Sequence, residues 1–287
     1  MGRPLAPPPV FDDASPWGRY VPSLGMGMLL AVSHALPGWL RRLTLVVRRP
    51  IKYGVHTPLD VNIWGLQLRL LPRGNMSEQK LLFAPQFFDP EELAQLRERL
   101  PAEGCFVDIG ANAGVYSLWA HHCMQGRGRI ISVEPDPEMR RRLAFNLASN
   151  QIGDIEVCPV ALSDHAGSAE LQVNLAQRGE NTLVAAEAQR AGGERQAVTV
   201  ELDTLLHLLQ ARGVTRVHAL KIDIEGHEPP VLRHFLENAP ATLWPDLVIT
   251  EFKAETAPMI EALFTTRGYR RRTTTRLNFI FERMPPG

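Results

Sequence analysis

Asp223, Glu225, His227 and Glu228 put four ionisable side chains into six consecutive positions. They end the stretch Leu220-Lys221-Ile222-Asp223-Ile224, whose alternation places Lys221 and Asp223 on one face of a strand and the isoleucines on the other. Such crowding is costly unless the groups serve a ligand or one another. Carboxylates and an imidazole at this spacing can orient a substrate and take a proton from a hydroxyl, which is a weak nucleophile at neutral pH. Asp223 is expected on the cofactor side or orienting the acceptor, and either Glu225 or His227 as the general base. An alternative is Mg2+ chelated by a diol and held by Asp223, Glu225 or Glu228 together with Glu251 from the next strand. Lys221 reads as the neutraliser of Asp223, and Glu228 as first-turn charge for the next helix. His121-His122-Cys123 is not a metal set, because neighbours on a helix point to different sides.

A second stretch must lie beside the first. Cys105-Phe106-Val107-Asp108-Ile109 reads as a buried strand, Gly110-Ala111-Asn112-Ala113-Gly114 as a tight turn, and the residues from Val115 as a helix. Such a turn lets a ligand approach the backbone and the free N–H groups of a helix start. A dinucleotide loop is G-x-G-x-x-G, and Asn112 stands where the second glycine should be. Asp108, expected beside the ligand, suits a cation better than a pyrophosphate. Glu134 ends the next strand, Arg129-Ile130-Ile131-Ser132-Val133, 24 positions (134 − 110) after Gly110, where an acid accepts ribose hydroxyls. A ligand with an amino-acid end, a cation and a ribose fits: S-adenosylmethionine. The expected cofactor contacts are Asp108, Gly110, Ala111, Asn112, Gly114, Glu134, Pro135, Ala161, Leu162 and Asp223, with Ser163 and Asp164 bordering the adenine.

Val-Asp-Ile-Gly-Ala-Asn-Ala-Gly, Val-Glu-Pro-Asp-Pro, Val160-Ala161-Leu162-Ser163-Asp164 and Lys221-Ile222-Asp223-Ile224-Glu225-Gly226-His227-Glu228 occur in that order. The chain thereby resembles the FkbM family of S-adenosylmethionine-dependent methyltransferases over about residues 87–281. The resemblance implies a class I methyltransferase that acts on hydroxyls of small molecules, glycolipids or saccharides. Two rivals are a nicotinamide-dependent oxidoreductase and a non-catalytic binding protein of the same fold. An Asn-Pro-Pro-Tyr block, as in enzymes that methylate base amines, is missing, and the 223–228 loop has no cysteine for C5 chemistry.

The 287 residues carry 31 Lys+Arg and 31 Asp+Glu, so there is no basic excess of the kind that marks a duplex-binding protein, and nucleic acid is not an expected partner. Three scattered cysteines suggest core thiols in a reducing compartment, hence a cytoplasmic enzyme.

Alternating strands and helices from residue 101 to the end predict an α/β fold: a Rossmann-like, doubly wound, mostly parallel sheet closed by an antiparallel pair over 269–282. Residues 155–160 read as one strand, 168–175 as an antiparallel insertion that pairs with 198–200, and 203–211 as a helix. Residues 51–100 form a small β/α cap, in which alternation changes phase at Trp64-Gly65, the mark of a bulge or hairpin. Asp89 is the expected N-cap of a helix over 90–100. Cap and insertion should shape the acceptor pocket. Residues 1–19, with five prolines, read as a flexible or loosely docked arm. Residues 21–40 hold a short apolar helix at 24–36, interrupted by polar residues and prolines and followed by Arg41, Arg42, Arg48 and Arg49. It either packs on the domain or a second copy of the chain, or lies in a membrane interface with the arginines at the headgroups.

Overall fold

The computed structural model describes residues 9–191 and 194–285. The chain begins with helices α1 (Leu24–Ala35) and α2 (Leu43–Gly54), hairpin strands β1 (Leu59–Ile63) and β2 (Leu66–Leu70), and helices α3 (Met76–Phe83) and α4 (Pro90–Arg99). Then come β3 (Cys105–Ile109), α5 (Val115–Met124), β4 (Arg129–Val133), α6 (Pro137–Ser149), β5 (Ile155–Cys158), β6 (Ala161–Ser163) and β7 (Gly167–Asn174). They are followed by α7 (Ala185–Ala191), β8 (Arg195–Thr204), α8 (Leu205–Ala211), β9 (Ala219–Ile222) and α9 (Glu228–Asn238). The chain closes with β10 (Leu247–Glu251), α10 (Ala257–Thr265), β11 (Tyr269–Thr274) and β12 (Asn278–Arg283).

Seven strands form the main sheet in the order β11-β12-β10-β9-β3-β4-β5, parallel from β10 to β5 and antiparallel at β11 and β12. Its two faces are sealed by two apolar clusters. In β3 the period of two is visible directly: Phe106 joins one cluster, and Cys105, Val107 and Ile109 join the other. Helices α8, α9 and α10 cover the second face, while α5, α6 and the N-terminal region cover the first. This is the doubly wound α/β architecture expected from the alternating pattern, and it gathers the carboxyl ends of β3, β4 and β9 at one edge.

Two local expectations change and one open choice is resolved. The strand predicted over 155–160 ends early, because Pro159 follows Cys158 and cannot donate to the ladder. The residues just beyond it form β6, which joins a small three-stranded sheet, β6-β8-β7, in which β7 and β8 pair antiparallel from Gly167 to Asn174. The phase change at Trp64-Gly65 is a hairpin turn, with φ of 56° and 81° at those two residues. Asp89 precedes α4 but caps nothing: its carboxylate accepts from the Tyr116 hydroxyl instead.

Residues 9–20 are not a loose arm. The Arg69 guanidinium is buried, pairs with Asp60, and donates to the carbonyls of Asp12, Ser15 and Pro16. Phe11 is buried edge-on against Phe145. A guanidinium offers five donors in a fixed fork, so three carbonyls and one carboxylate satisfy it without water. Residues 1–8 of the predicted arm lie outside the described residues.

Candidate functional site

A cavity opens where the carboxyl ends of β3, β4 and β9 converge. The turn after β3 forms its floor. Gly110 has φ of 74°, and a Cβ placed there would stand 2.0 Å from the Asp223 carbonyl oxygen. Glycine is therefore required both by backbone angle and by the contact between the two loops. Asn112 is also left-handed, and its side-chain oxygen accepts from Asn75 and from the Ala113 N–H, which holds the turn open.

Glu134 lines the cavity and reaches across this turn. One of its oxygens accepts the Asn112 N–H at 2.7 Å, and the other accepts the Asp136 N–H at 2.8 Å. Burial pushes its carboxyl up to about 7, against the pull of those two N–H groups. Ala111, Pro135, Val160, Ala161 and Leu162 complete an apolar slot beside it.

The loop after β9 supplies the charged wall. Asp223, Glu225 and His227 all line the cavity. Lys221 Nζ lies 3.6 Å from Asp223 and 3.9 Å from Asp108, and donates to the Gly110 carbonyl. Glu225 is left-handed, with φ of 54°, and is pinned there by Lys253 at 3.0 Å and by the Thr182 hydroxyl on its carbonyl. Burial, reinforced by Asp223, pushes the Glu225 carboxyl up to about 7. His227 Nε2 is within hydrogen-bond distance of the Ser163 hydroxyl, and burial lowers its pKa. Carboxylate oxygens of Asp223, Glu225 and Glu251 come within 4.8 Å of one another, close enough to hold one cation. Burial and these neighbouring carboxylates push Glu251 up to about 10.

Four expectations for this site are corrected. Asp108 does not face the cavity; it is fully buried, accepts from the Ser117 hydroxyl at 2.5 Å and lies behind Lys221. Gly114 also lies off the cavity, where a Cβ would strike Leu143 at 2.1 Å, so its role is helix packing. Ser163 and Asp164 are off the lining as well: Ser163 points to His227 and Asp164 to His165. Glu228 is more than first-turn charge and no part of the three-carboxylate group. It folds back to accept the Ile224 and Gly226 N–H groups, and burial pushes it up to about 7.

A roof was not foreseen residue by residue. Arg178 donates twice to Asp136 and Asn181 once, which fastens the insertion to the start of α6. Lys253 joins Glu187 of the insertion to Glu225 of the β9 loop. Arg178, Gly179, Asn181, Thr182 and Leu183 thereby line the cavity from above, and Ser77, Phe88, Asp89 and Tyr116 close the side nearest the N-terminal region. Asp136 was legible as an N-cap before Pro137, but no local signal pairs it with Arg178.

Comparison with known proteins gives the family. The family model described as the Methyltransferase FkbM domain matches residues 108–271. Methyltransferase sdnD of Sordaria araneosa is 30% identical over 195 residues, which span 59% of this chain and 75% of that protein. Among solved structures, Methyltransferase FkbM from Methylobacillus flagellatus KT is 16% identical with a TM-score of 0.41, covering 72% of this chain and 54% of that one. M. jannaschii TYW2, solved in complex with AdoMet, is 10% identical with a TM-score of 0.41, covering 81% of this chain and 89% of that one.

Proposed function

Since the chain belongs to the FkbM methyltransferase domain family, we propose that it is an S-adenosylmethionine-dependent O-methyltransferase acting on a hydroxyl of a small molecule, glycolipid or saccharide. The observation that carries this reading is the cavity itself: one continuous space touches the Gly110–Asn112 backbone, the Glu134 carboxylate and the acidic β9 loop. The donor set fits the cofactor. Glu134 retains acceptor capacity beyond its two backbone donors, as a ribose diol requires. Ala161 and Leu162 offer an apolar wall for adenine, and Asp223, with a side chain 41% exposed, is the carboxylate available to an ammonium. When bound, S-adenosylmethionine supplies an electrophilic methyl group.

The protein's own part is alignment and proton removal. Asp223, held by Lys221, orients. Glu225 is a better base than His227, because His227 is turned toward Ser163, which lies off the cavity lining, while Glu225 sits beside Asp223. A carboxyl near 7 is half ionised at neutral pH and can accept a hydroxyl proton. The released proton stays on Glu225, beside Lys253. Methyl transfer, followed as S-adenosylhomocysteine formed with hydroxylated acceptors, should rise through about pH 7 and lose that limb in Glu225→Gln.

The decisive experiment is calorimetric titration with S-adenosylmethionine, S-adenosylhomocysteine and NAD, with Glu134→Ala in parallel. Saturable binding of both sulfur ligands, weakened about tenfold or more in Glu134→Ala, supports the reading. Binding of NAD alone sinks it. A second reading, a divalent cation at Asp223, Glu225 and Glu251, rests on their mutual proximity and on a Glu251 oxygen that is buried without a hydrogen-bond partner. It predicts Mg2+ binding that Glu251→Gln abolishes.

A further inference from the structure

The N-terminal helices carry a second functional surface. Of fifteen large hydrophobic side chains exposed among the described residues, ten lie between Val21 and Tyr53. On α1 the exposed residues Leu24, Met28 and Val32 recur every four positions and form one stripe. The opposite side of α1 is satisfied: Leu30 and Ser33 are buried, Ser33 donates to the Phe83 carbonyl, and His34 meets the Leu82 carbonyl. The packing expected for this helix therefore accounts for one face only. Trp39, 82% exposed, stands in the turn between the helices, and Leu43, Val46 and Tyr53 continue outward along α2, which packs on α1.

Charge says what covers this surface. No Asp or Glu occurs from residue 14 to residue 59, although the chain has 31 of them. The same stretch holds Arg19, Arg41, Arg42, Arg48, Arg49 and Lys52. The last five flank or interrupt the exposed apolar residues, and none of the five forms an ion pair among the described residues. Apolar side chains interleaved with unpaired cations match an anionic lipid surface, into which the first insert and along which the second lie. A protein partner of mixed charge would leave the cations without a purpose. No helix among the described residues is long and apolar enough to cross a membrane, so the contact is one of lying on the bilayer.

We propose that α1, Trp39 and α2 form a docking surface for anionic lipid bilayers. The platform is tied to the rim of the cavity: Gln86, which donates to the carbonyls of Ser33 and Leu36, lies two residues before Phe88 in the cavity wall.

The test is co-sedimentation of the full chain with vesicles of phosphatidylcholine alone and of phosphatidylcholine mixed with phosphatidylglycerol. Binding is expected only with the anionic vesicles, and to fall as salt is raised. Trp39→Glu with Val46→Glu, and separately Arg48→Glu with Arg49→Glu, should each weaken it about tenfold or more while the circular dichroism stays that of the parent. Failure to bind anionic vesicles, equal binding to neutral ones, or insensitivity to both pairs of substitutions would overturn the proposal. So would a dimer in sedimentation velocity that Trp39→Glu dissociates without any vesicle binding, since the surface would then belong to a second copy. S-adenosylhomocysteine titration is independent of vesicles, so this proposal and the enzymatic reading fail separately.

Discussion

The loops after β3 and β9 occupy equivalent places. Their strands are parallel neighbours, with Asp108 opposite Lys221 and Ile109 opposite Ile222. Each strand runs into a glycine with positive φ and then into a helix. Yet the first loop presents backbone to the cavity and the second presents carboxylates. Register explains the difference. Asp223 stands two residues beyond Lys221, and so about 7 Å further toward the ligand end of the sheet than Asp108, on the same face. The same type of residue is a buried anchor in one strand and a cavity wall in the other. The loops also touch, since nothing larger than hydrogen fits between Gly110 and the Asp223 carbonyl.

That contact is the place to break the comparison. Gly110→Ala should distort both loops at once, cost at least about 3 kcal/mol in urea unfolding and abolish cofactor binding. Gly65→Ala is the control, for φ is again positive, at 81°, but nothing lies within 4 Å of the new Cβ; about 1 kcal/mol is expected.

The charged loop should next reveal itself through pH. Glu225 and Glu228 are pushed from 4.5 to about 7, and Glu251 to about 10. Each binds its proton more tightly folded than unfolded, so each contributes stability that is complete below 4.5 and is lost as pH rises through the folded value. Stability should therefore fall from pH 4 to pH 8. Glu251→Gln should match the parent at pH 4 and exceed it at pH 8, by on the order of 1–3 kcal/mol. A flat parent profile would show that the carboxylates are better compensated than their burial implies.

Glu228→Ala removes the acceptor for the Ile224 and Gly226 N–H groups and should cost about 2 kcal/mol in urea unfolding. The smallest effects sharpen the contrast most. Asp108→Asn should lower stability by about 1 kcal/mol yet leave S-adenosylhomocysteine affinity within about threefold, whereas Asp223→Asn should do the reverse, with affinity down about tenfold. Equal effects at the two positions would mean that Asp108 reaches the ligand after all.

Periodicity and turn chemistry are local properties, and what depends on them was legible before any coordinates. Alternation in residues 105–109 and 219–222, helix starts such as Asp136-Pro137, and the order of the blocks from Asp108 to Glu228 determined the α/β fold, the parallel strands and which loops would meet. The phase change at Trp64-Gly65 marked a break, and the structure chose the hairpin. Helices α2 and α3 escaped notice, the first because Pro50 interrupts its pattern and the second because it is short. What faces what was decided in three dimensions. Burial of Asp108, the turn of His227 toward Ser163, the recruitment of Arg178 by Asp136 across 42 positions, and the docking of residues 11–16 on Arg69 join residues distant in sequence. Ion pairs and buried hydrogen bonds of this kind follow from how two elements lie together, and a one-dimensional pattern carries no record of that distance.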